Sequence, residues 1–209
     1  MLSTLLSLIV ISFTGVMAPG PMFAVTLARS YSSPWAGLFL ALGHAVVEVP
    51  LIFLIYFGFG TFFQKNNVRL ALSLIGGGVI IWLGISLFHS RSETISGIND
   101  VTGMAFTSGI LMSALNPFFL LWWATVGSML ISRFVNFGLR GMVAFTVAHW
   151  SCDLIWLSFV SILVYHTHAF WGQQIQEWLL IACSLLLIGF GSWFIISGLK
   201  LTAQRNRTP

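Results

Sequence analysis

The stretch Ala18-Pro19-Gly20-Pro21 lies inside the first long apolar segment of the sequence, which runs from Leu2 to Ala28. Proline in a helix interior lacks the backbone N–H and clashes with the preceding turn, so this stretch is expected to break a helix. In a lipid bilayer, a break leaves backbone groups without partners, which is tolerated only where protein or a polar cavity covers them. The stretch therefore predicts a binding site at membrane depth.

The composition of the chain indicates a membrane protein. Of its 209 residues, 57% are hydrophobic and only 7% are charged, whereas soluble domains contain about 25% charged residues. We therefore exclude a soluble protein and predict a single transmembrane transporter domain over residues 1–209. The net charge of +4 comes from basic residues spread between apolar segments, which does not indicate nucleic-acid binding.

Six apolar segments are long enough to span a bilayer, for which about 20 residues are needed. We therefore predict an all-α integral membrane protein with six transmembrane helices. The first helix is broken at Pro-Gly-Pro and the fourth at Asn-Pro. The predicted spans are Leu2–Ala28, Trp35–Phe63, Val68–Phe88, Met104–Ile131, Phe137–Tyr165 and Ile175–Leu199.

The two halves of the chain repeat the same order of features. The predicted first repeat is 1–89, a connection follows at 90–103, the second repeat is 104–199, and a basic tail occupies 200–209. Each half has three spans, so the halves must insert with opposite orientations, as in many secondary transporters. The matching features are the breaks, a histidine four residues before an acid, and paired glycines: Gly77 and Gly84, Gly191 and Gly198.

Asn116-Pro117 breaks the fourth segment and is a strong signal for a helix start, because Asn is a preferred N-cap and Pro is favoured at the first helical position. Pro21 is predicted to begin an equivalent half-helix. Two such N-terminal ends near the midplane would suit a carboxylate; the alternative is a pair of kinks packed by neighbouring helices. The predicted substrate-binding residues are Pro19, Gly20, Pro21, Asn116, Pro117 and Trp122.

Two acidic residues lie near the middle of predicted spans, each four residues after a histidine: Glu48 after His44, and Asp153 after His149. Residues at this spacing share a helix face. A charged acid at the bilayer centre costs roughly 2.5–3.5 kcal/mol, so each acid is expected to be protonated or paired. The four residues are predicted to relay protons, to contact a substrate amine, or both. The alternative is a polar contact between helices two and five.

The distribution of Lys and Arg predicts that both termini are cytoplasmic, because basic residues are enriched in inner connections. With the N-terminus inside, seven basic residues fall on the inner side and two on the outer side. The inner residues are Lys65, Arg69, Arg133, Arg140, Lys200, Arg205 and Arg207, and the outer residues are Arg29 and Arg91.

Several motifs, taken in order, resemble the LysE/RhtB family of amino-acid exporters. They are Gly15-Val16-Met17-Ala18-Pro19-Gly20-Pro21, Gly37–Gly43, Trp82-Leu83-Gly84 and Ser113-Ala114-Leu115-Asn116-Pro117. The resemblance implies export of amino acids or close derivatives across the cytoplasmic membrane, driven by an ion gradient. Two features depart from the family pattern: Phe118 stands where many members have a lysine, and the His44–Glu48 pair is unusual.

These observations predict a secondary exporter of amino acids or related zwitterionic solutes, acting by proton antiport. The alternative is a divalent metal exporter that uses His44, Glu48, His149 and Asp153, since imidazole and carboxylate suit several first-row metals. No catalytic or cofactor motif is visible, so neither an enzyme nor a resident metal or cofactor is expected. The predicted partners are a small-molecule substrate, protons and membrane lipid; a homodimer is compatible with the sequence.

Overall fold

The computed structural model describes residues 2–17, 20–89, 101–167 and 172–205. All regular secondary structure within these ranges is helical. A 3₁₀ turn occupies Phe59–Gln64 and a π-helical turn occupies Trp123–Gly127. The α-helices are α1 (Leu2–Val16), α2 (Pro21–Ser30), α3 (Ala36–Tyr56), α4 (Asn66–His89), α5 (Val101–Ala114), α6 (Pro117–Trp122), α7 (Ser128–Val135), α8 (Gly138–Thr167) and α9 (Gly172–Arg205).

Five helical segments of the described chain are long and apolar enough to cross a bilayer. The helices α1 and α2, bent by 72° from one another, form a sixth candidate span. The prediction of an all-α, multi-pass membrane protein is therefore confirmed. The five unbroken segments are Ala36–Tyr56, Asn66–His89, Pro117–Val135, Gly138–Thr167 and Glu177–Lys200.

Both predicted helix breaks are present. In the first, α1 ends at Val16 and α2 begins at Pro21, while Ala18 and Pro19 lie outside the described residues. In the second, α5 ends at Ala114 and α6 begins at Pro117. The helical region around the second break extends beyond the predicted Met104–Ile131 at both ends: Pro117–Val135 is by itself long enough to cross a bilayer, and the shorter apolar helix α5 precedes it.

The predicted second span, Trp35–Phe63, is too long at its C-terminal end. Helix α3 stops at Tyr56, and Gly58 adopts a left-handed conformation with φ of 97°. Glycine has no Cβ, so it takes up this conformation without the steric penalty that other residues meet, and the conformation ends a helix. The apolar residues after it form the 3₁₀ turn rather than a continuation of α3.

Helices α4 and α9 pack closely along paired glycines. A Cβ added to Gly77 would lie 2.7 Å from the Gly191 carbonyl oxygen, and one added to Gly191 would lie 2.6 Å from the Gly77 carbonyl oxygen. No side chain fits between the two backbones there, which is why small residues are favoured where membrane helices approach closely.

Helices α3 and α8 contact each other, and each crosses two clusters of buried apolar residues. One cluster contains Leu40 of α3 and Leu157 of α8. The other contains Ile52 of α3 and Phe145 of α8. The histidines and acids of both helices fall between these two clusters along the chain, so apolar packing flanks the polar residues on both sides.

Candidate functional site

The two predicted histidine–acid pairs meet in one buried cluster between α3 and α8. His44 Nε2 is hydrogen-bonded to Glu48 Oε1 at 2.9 Å. His149 Nε2 lies 3.3 Å from the same Glu48 oxygen. Asp153 is farther away, with carboxylate oxygens 3.8 Å from Nε2 of each histidine. Glu48 is thus shared by histidines from both halves of the chain.

Each histidine is held on its other ring nitrogen by a serine from a broken helix of the opposite half. His44 Nδ1 lies 2.6 Å from Ser113 Oγ of α5. His149 Nδ1 lies 2.6 Å from Ser12 Oγ of α1. The two contacts correspond to one another under the predicted repeat, and they link the broken helices directly to the ionisable residues.

The protons of the His44 contacts can be assigned from the partners of Ser113. The Ser113 hydroxyl donates to the Gly109 carbonyl oxygen at 2.7 Å. A hydroxyl has one proton to donate, so Ser113 must accept from His44, and His44 Nδ1 carries a hydrogen. The short contact between His44 Nε2 and Glu48 then holds one further proton, on either the imidazole or the carboxyl.

Ser12 leaves His149 with more freedom. No second hydrogen bond of Ser12 is found within the described part of the chain, so its hydroxyl can either donate to His149 Nδ1 or accept from it. With Ser12 as the donor, neutral His149 presents an Nε2–H to Glu48. The two corresponding histidines therefore sit in chemically different settings.

A cavity of about 580 Å³ adjoins the cluster and reaches both helix breaks. Gly20 and Pro21 line it at the first break, Asn116 lines it at the second, and Trp122 forms part of its wall. All four histidine and acid residues also line the cavity. The structure thus brings most of the residues predicted for substrate and proton into one space.

Two of the predicted substrate-binding residues are not among the described residues that line the cavity. Pro117 is buried and is not among the residues that line the cavity. Pro117 is the first residue of α6. At that position its missing N–H costs nothing, because this N–H would have no partner within the helix. Pro19 lies outside the described residues.

The two half-helix ends at the cavity differ. At the second break, Asn116 Oδ1 accepts from the backbone N–H groups of Phe118 at 3.0 Å and Phe119 at 3.4 Å, so this end is capped by its own asparagine. At the first break, Gly20 is extended and provides no side-chain cap for α2. The first N–H groups of a helix have no partner within it, so the end of α2 is the better placed to bind an anion.

Two carboxylate oxygens in the cluster have no hydrogen-bond partner among the described residues. They are Glu48 Oε2 and Asp153 Oδ2, and both are buried. Buried polar atoms are rarely left without a partner, because each unmet hydrogen bond costs about 1–3 kcal/mol. An ammonium group or an additional proton in the cavity would satisfy them.

Three potential metal-ligand atoms also come together. One ligand atom each from His44, Glu48 and Asp153 lies within 4.8 Å of the other two. This donor set of imidazole and carboxylate fits a first-row divalent ion.

Several site residues were missed by sequence reasoning. Ser12 is a small polar residue in an apolar segment, and that was its only local signal; Ser113 also begins the motif that ends in Asn116-Pro117, but no role was predicted for it. Of the rings packed around His149, Trp122 was predicted to bind substrate, whereas Trp123 and Phe145 were not, because aromatic residues are common throughout this chain. Trp122 stacks on the His149 ring with centroids 5.8 Å apart, and Trp123 meets it edge-on at 4.9 Å. Aromatic residues of α9 also line the cavity: Phe190, Trp193 and Phe194.

Comparison with known proteins agrees with the architecture. The model of the LysE type translocator family matches residues 13–198. A Bacillus subtilis (strain 168) protein named "Putative amino acid efflux protein YcgF" is 23% identical over 202 residues, which cover 93% of this chain and 96% of that protein. No solved structure matches the chain.

Proposed function

Because the chain belongs to the LysE type translocator family, we propose that it is a secondary exporter of amino acids or related small zwitterionic solutes. The proposal is supported by the name of the Bacillus subtilis relative, "Putative amino acid efflux protein YcgF". It also depends on one structural observation: a cavity between two helix breaks that contains buried acids with unpartnered oxygens. The exporter acts across the cytoplasmic membrane with both termini in the cytoplasm.

A zwitterion has complementary groups on the cavity wall. Its carboxylate binds at the uncapped N-terminal end of α2, next to Gly20, where backbone N–H groups and the helix dipole favour an anion. Its ammonium group binds Glu48 Oε2 and Asp153 Oδ2. Gly20 and Pro21, together with Asp153, therefore contribute directly to substrate binding.

Proton antiport follows from competition for the same oxygens. When the ammonium group leaves, the acids lose their partner in a site of low polarity, and a proton takes its place. His44 and His149, which contact Glu48 from both halves, keep that proton within the cluster. The whole chain works as one unit, in which rocking of one repeat against the other exposes the cavity to alternate sides.

The test is gradient-driven transport in proteoliposomes. Glu48→Gln and Asp153→Asn are expected to abolish amino-acid accumulation driven by a pH gradient, because neither amide can exchange a proton. Glu177→Gln on α9 is the matched control, since Glu177 does not line the cavity, and its transport should be unchanged. Full proton-driven transport by the double variant would overturn the antiport mechanism.

Export of a divalent metal ion is the second candidate, favoured by the close approach of ligand atoms from His44, Glu48 and Asp153. Titration calorimetry of the purified protein with Zn²⁺, Mn²⁺ and Ni²⁺ distinguishes the two candidates. Micromolar binding that is lost in His44→Ala would favour the metal. Binding of amino acids without any metal binding would favour the zwitterion.

A further inference from the structure

We propose that the exported solute is an amino acid with a large apolar side chain, bound with that side chain against the aromatic wall of the cavity. This inference rests on the proposed function and specifies its substrate class. It is carried by the separation of polar and apolar groups around the cavity, a separation that the amino-acid headgroup alone does not explain.

The charged groups of the cavity are all needed for the headgroup. Among the described residues that line it, the ionisable side chains are the four of the cluster: His44, Glu48, His149 and Asp153. Glu48 Oε1 already contacts both histidines, which leaves Glu48 Oε2 and Asp153 Oδ2 for an ammonium group. Within the described part of the lining, no further acid is available to pair with a second cationic group on a solute side chain.

The remaining wall is mainly apolar, with aromatic and thioether side chains prominent and with Ser12, Thr14 and Asn116 as its polar side chains. Trp122 and Phe119 follow the second helix break, and Phe190 and Phe194 project from α9. Met22 and Met112 complete this surface, and methionine adapts its shape to apolar groups of different form. A solute side chain that leaves the headgroup site therefore meets apolar carbon.

The cavity is also large for a small amino acid. Its volume of about 580 Å³ lies within the range of pockets that enclose drug-sized ligands, roughly 300–1,000 Å³. Glycine or serine would leave the aromatic wall uncovered, whereas a leucine, methionine or phenylalanine side chain would remove it from water. Burial of apolar area is the dominant favourable contribution in such a site.

A cationic side chain is disfavoured in the same place. Aromatic rings attract cations. However, the hydration free energy that an ammonium group loses when it is buried without an acid exceeds the attraction of one aromatic ring. A hydroxyl side chain is less favoured than an apolar one, because most of the wall is apolar and only a few groups, such as the indole N–H of Trp122, could bond to it. The wall thus selects for apolar side chains and against polar ones.

The experiment measures binding to the full chain in lipid nanodiscs, using L-phenylalanine, L-leucine, L-methionine, glycine, L-serine and L-lysine as probes. We expect the three apolar amino acids to bind at least about tenfold more tightly than serine or lysine, which is the difference that burial of one large side chain supplies. Equal binding of all six, or tighter binding of serine or lysine, would overturn the apolar class and leave the exporter proposal standing. Absence of binding by every amino acid would overturn both.

A variant pair tests the wall itself. Phe190→Ala is expected to weaken binding of phenylalanine and leucine by about tenfold, while glycine binding stays within about twofold. Phe159→Ala is the matched control, because Phe159 is an exposed aromatic residue of α8 that does not line the cavity. An equal loss for glycine and phenylalanine in Phe190→Ala would contradict a side-chain site at this wall.

Discussion

Ser12 and Ser113 hold corresponding histidines with contacts of equal length, yet they differ in their own partners. Ser113 donates to the Gly109 carbonyl and must accept from His44, whereas Ser12 is able to do either for His149. One hydroxyl proton thus fixes the tautomer of His44 and leaves that of His149 open. At the scale of single residues, the two halves of the site are therefore unequal.

The first prediction concerns these serines. In Ser113→Ala, His44 Nδ1 loses its acceptor, so we expect nitrogen NMR of labelled histidine to show loss of the fixed Nδ1–H form. A buried donor left unpaired should also reduce stability by about 1–3 kcal/mol. Ser12→Ala is the control, in which the His44 resonances should stay as in the wild type. Unchanged His44 resonances in Ser113→Ala would refute the assignment.

At the α4–α9 crossing, the two helices meet through their backbones rather than through interlocking side chains. Gly77 and Gly191 lie so close that an added Cβ would meet the opposite carbonyl oxygen. Gly189, two residues earlier on α9, has open space around its Cβ position. The glycines of one helix thus have different structural roles, although they look alike in the sequence.

The second prediction follows from this contrast. Gly191→Ala places a methyl group 2.6 Å from the Gly77 oxygen, so the helices must separate, and we expect a loss of about 1–3 kcal/mol of stability. Gly189→Ala meets no atom, and alanine favours the helix by up to about 1 kcal/mol, so its melting temperature should stay or rise. Thermal unfolding of both variants in the same detergent measures the difference. Equal melting temperatures would show that the crossing tolerates a side chain.

At the scale of the whole molecule, the polar cluster lies between two apolar clusters along both central helices, which meet these clusters in opposite order along the chain. In α3, His44 and Glu48 lie between Leu40 and Ile52, which belong to different apolar clusters. If the two halves insert in opposite orientations as proposed, we expect access from each side of the membrane to require a different one of these clusters to open.

The third prediction tests the orientation on which this picture depends. Cys152 and Cys183 are both buried, so an impermeant maleimide should leave the wild-type protein unlabelled in intact cells. Trp35→Cys, at an exposed position before α3, should be labelled from outside, and Lys65→Cys, at an exposed position before α4, should not. Labelling of Lys65→Cys from outside would reverse the proposed topology.

Much of the architecture could be predicted because it depends on local properties of the chain. Hydropathy indicates the spans, and the breaks at Pro21 and Asn116-Pro117 follow from backbone chemistry. Even here the local rule has limits, because α3 continues through Pro50. Whether a proline breaks a membrane helix depends on what surrounds the freed backbone groups.

The sequence by itself determined that the chain is a helical membrane protein with two interrupted helices and two histidine–acid pairs, since these features depend only on composition and on spacing along the chain. Only the tertiary structure decided that Glu48 contacts His149, that Ser12 and Ser113 hold the histidines, and that aromatic residues of α9 line the cavity. Each of those contacts joins residues far apart in the chain. Such contacts arise from the packing of whole helices, which no local pattern of residues encodes.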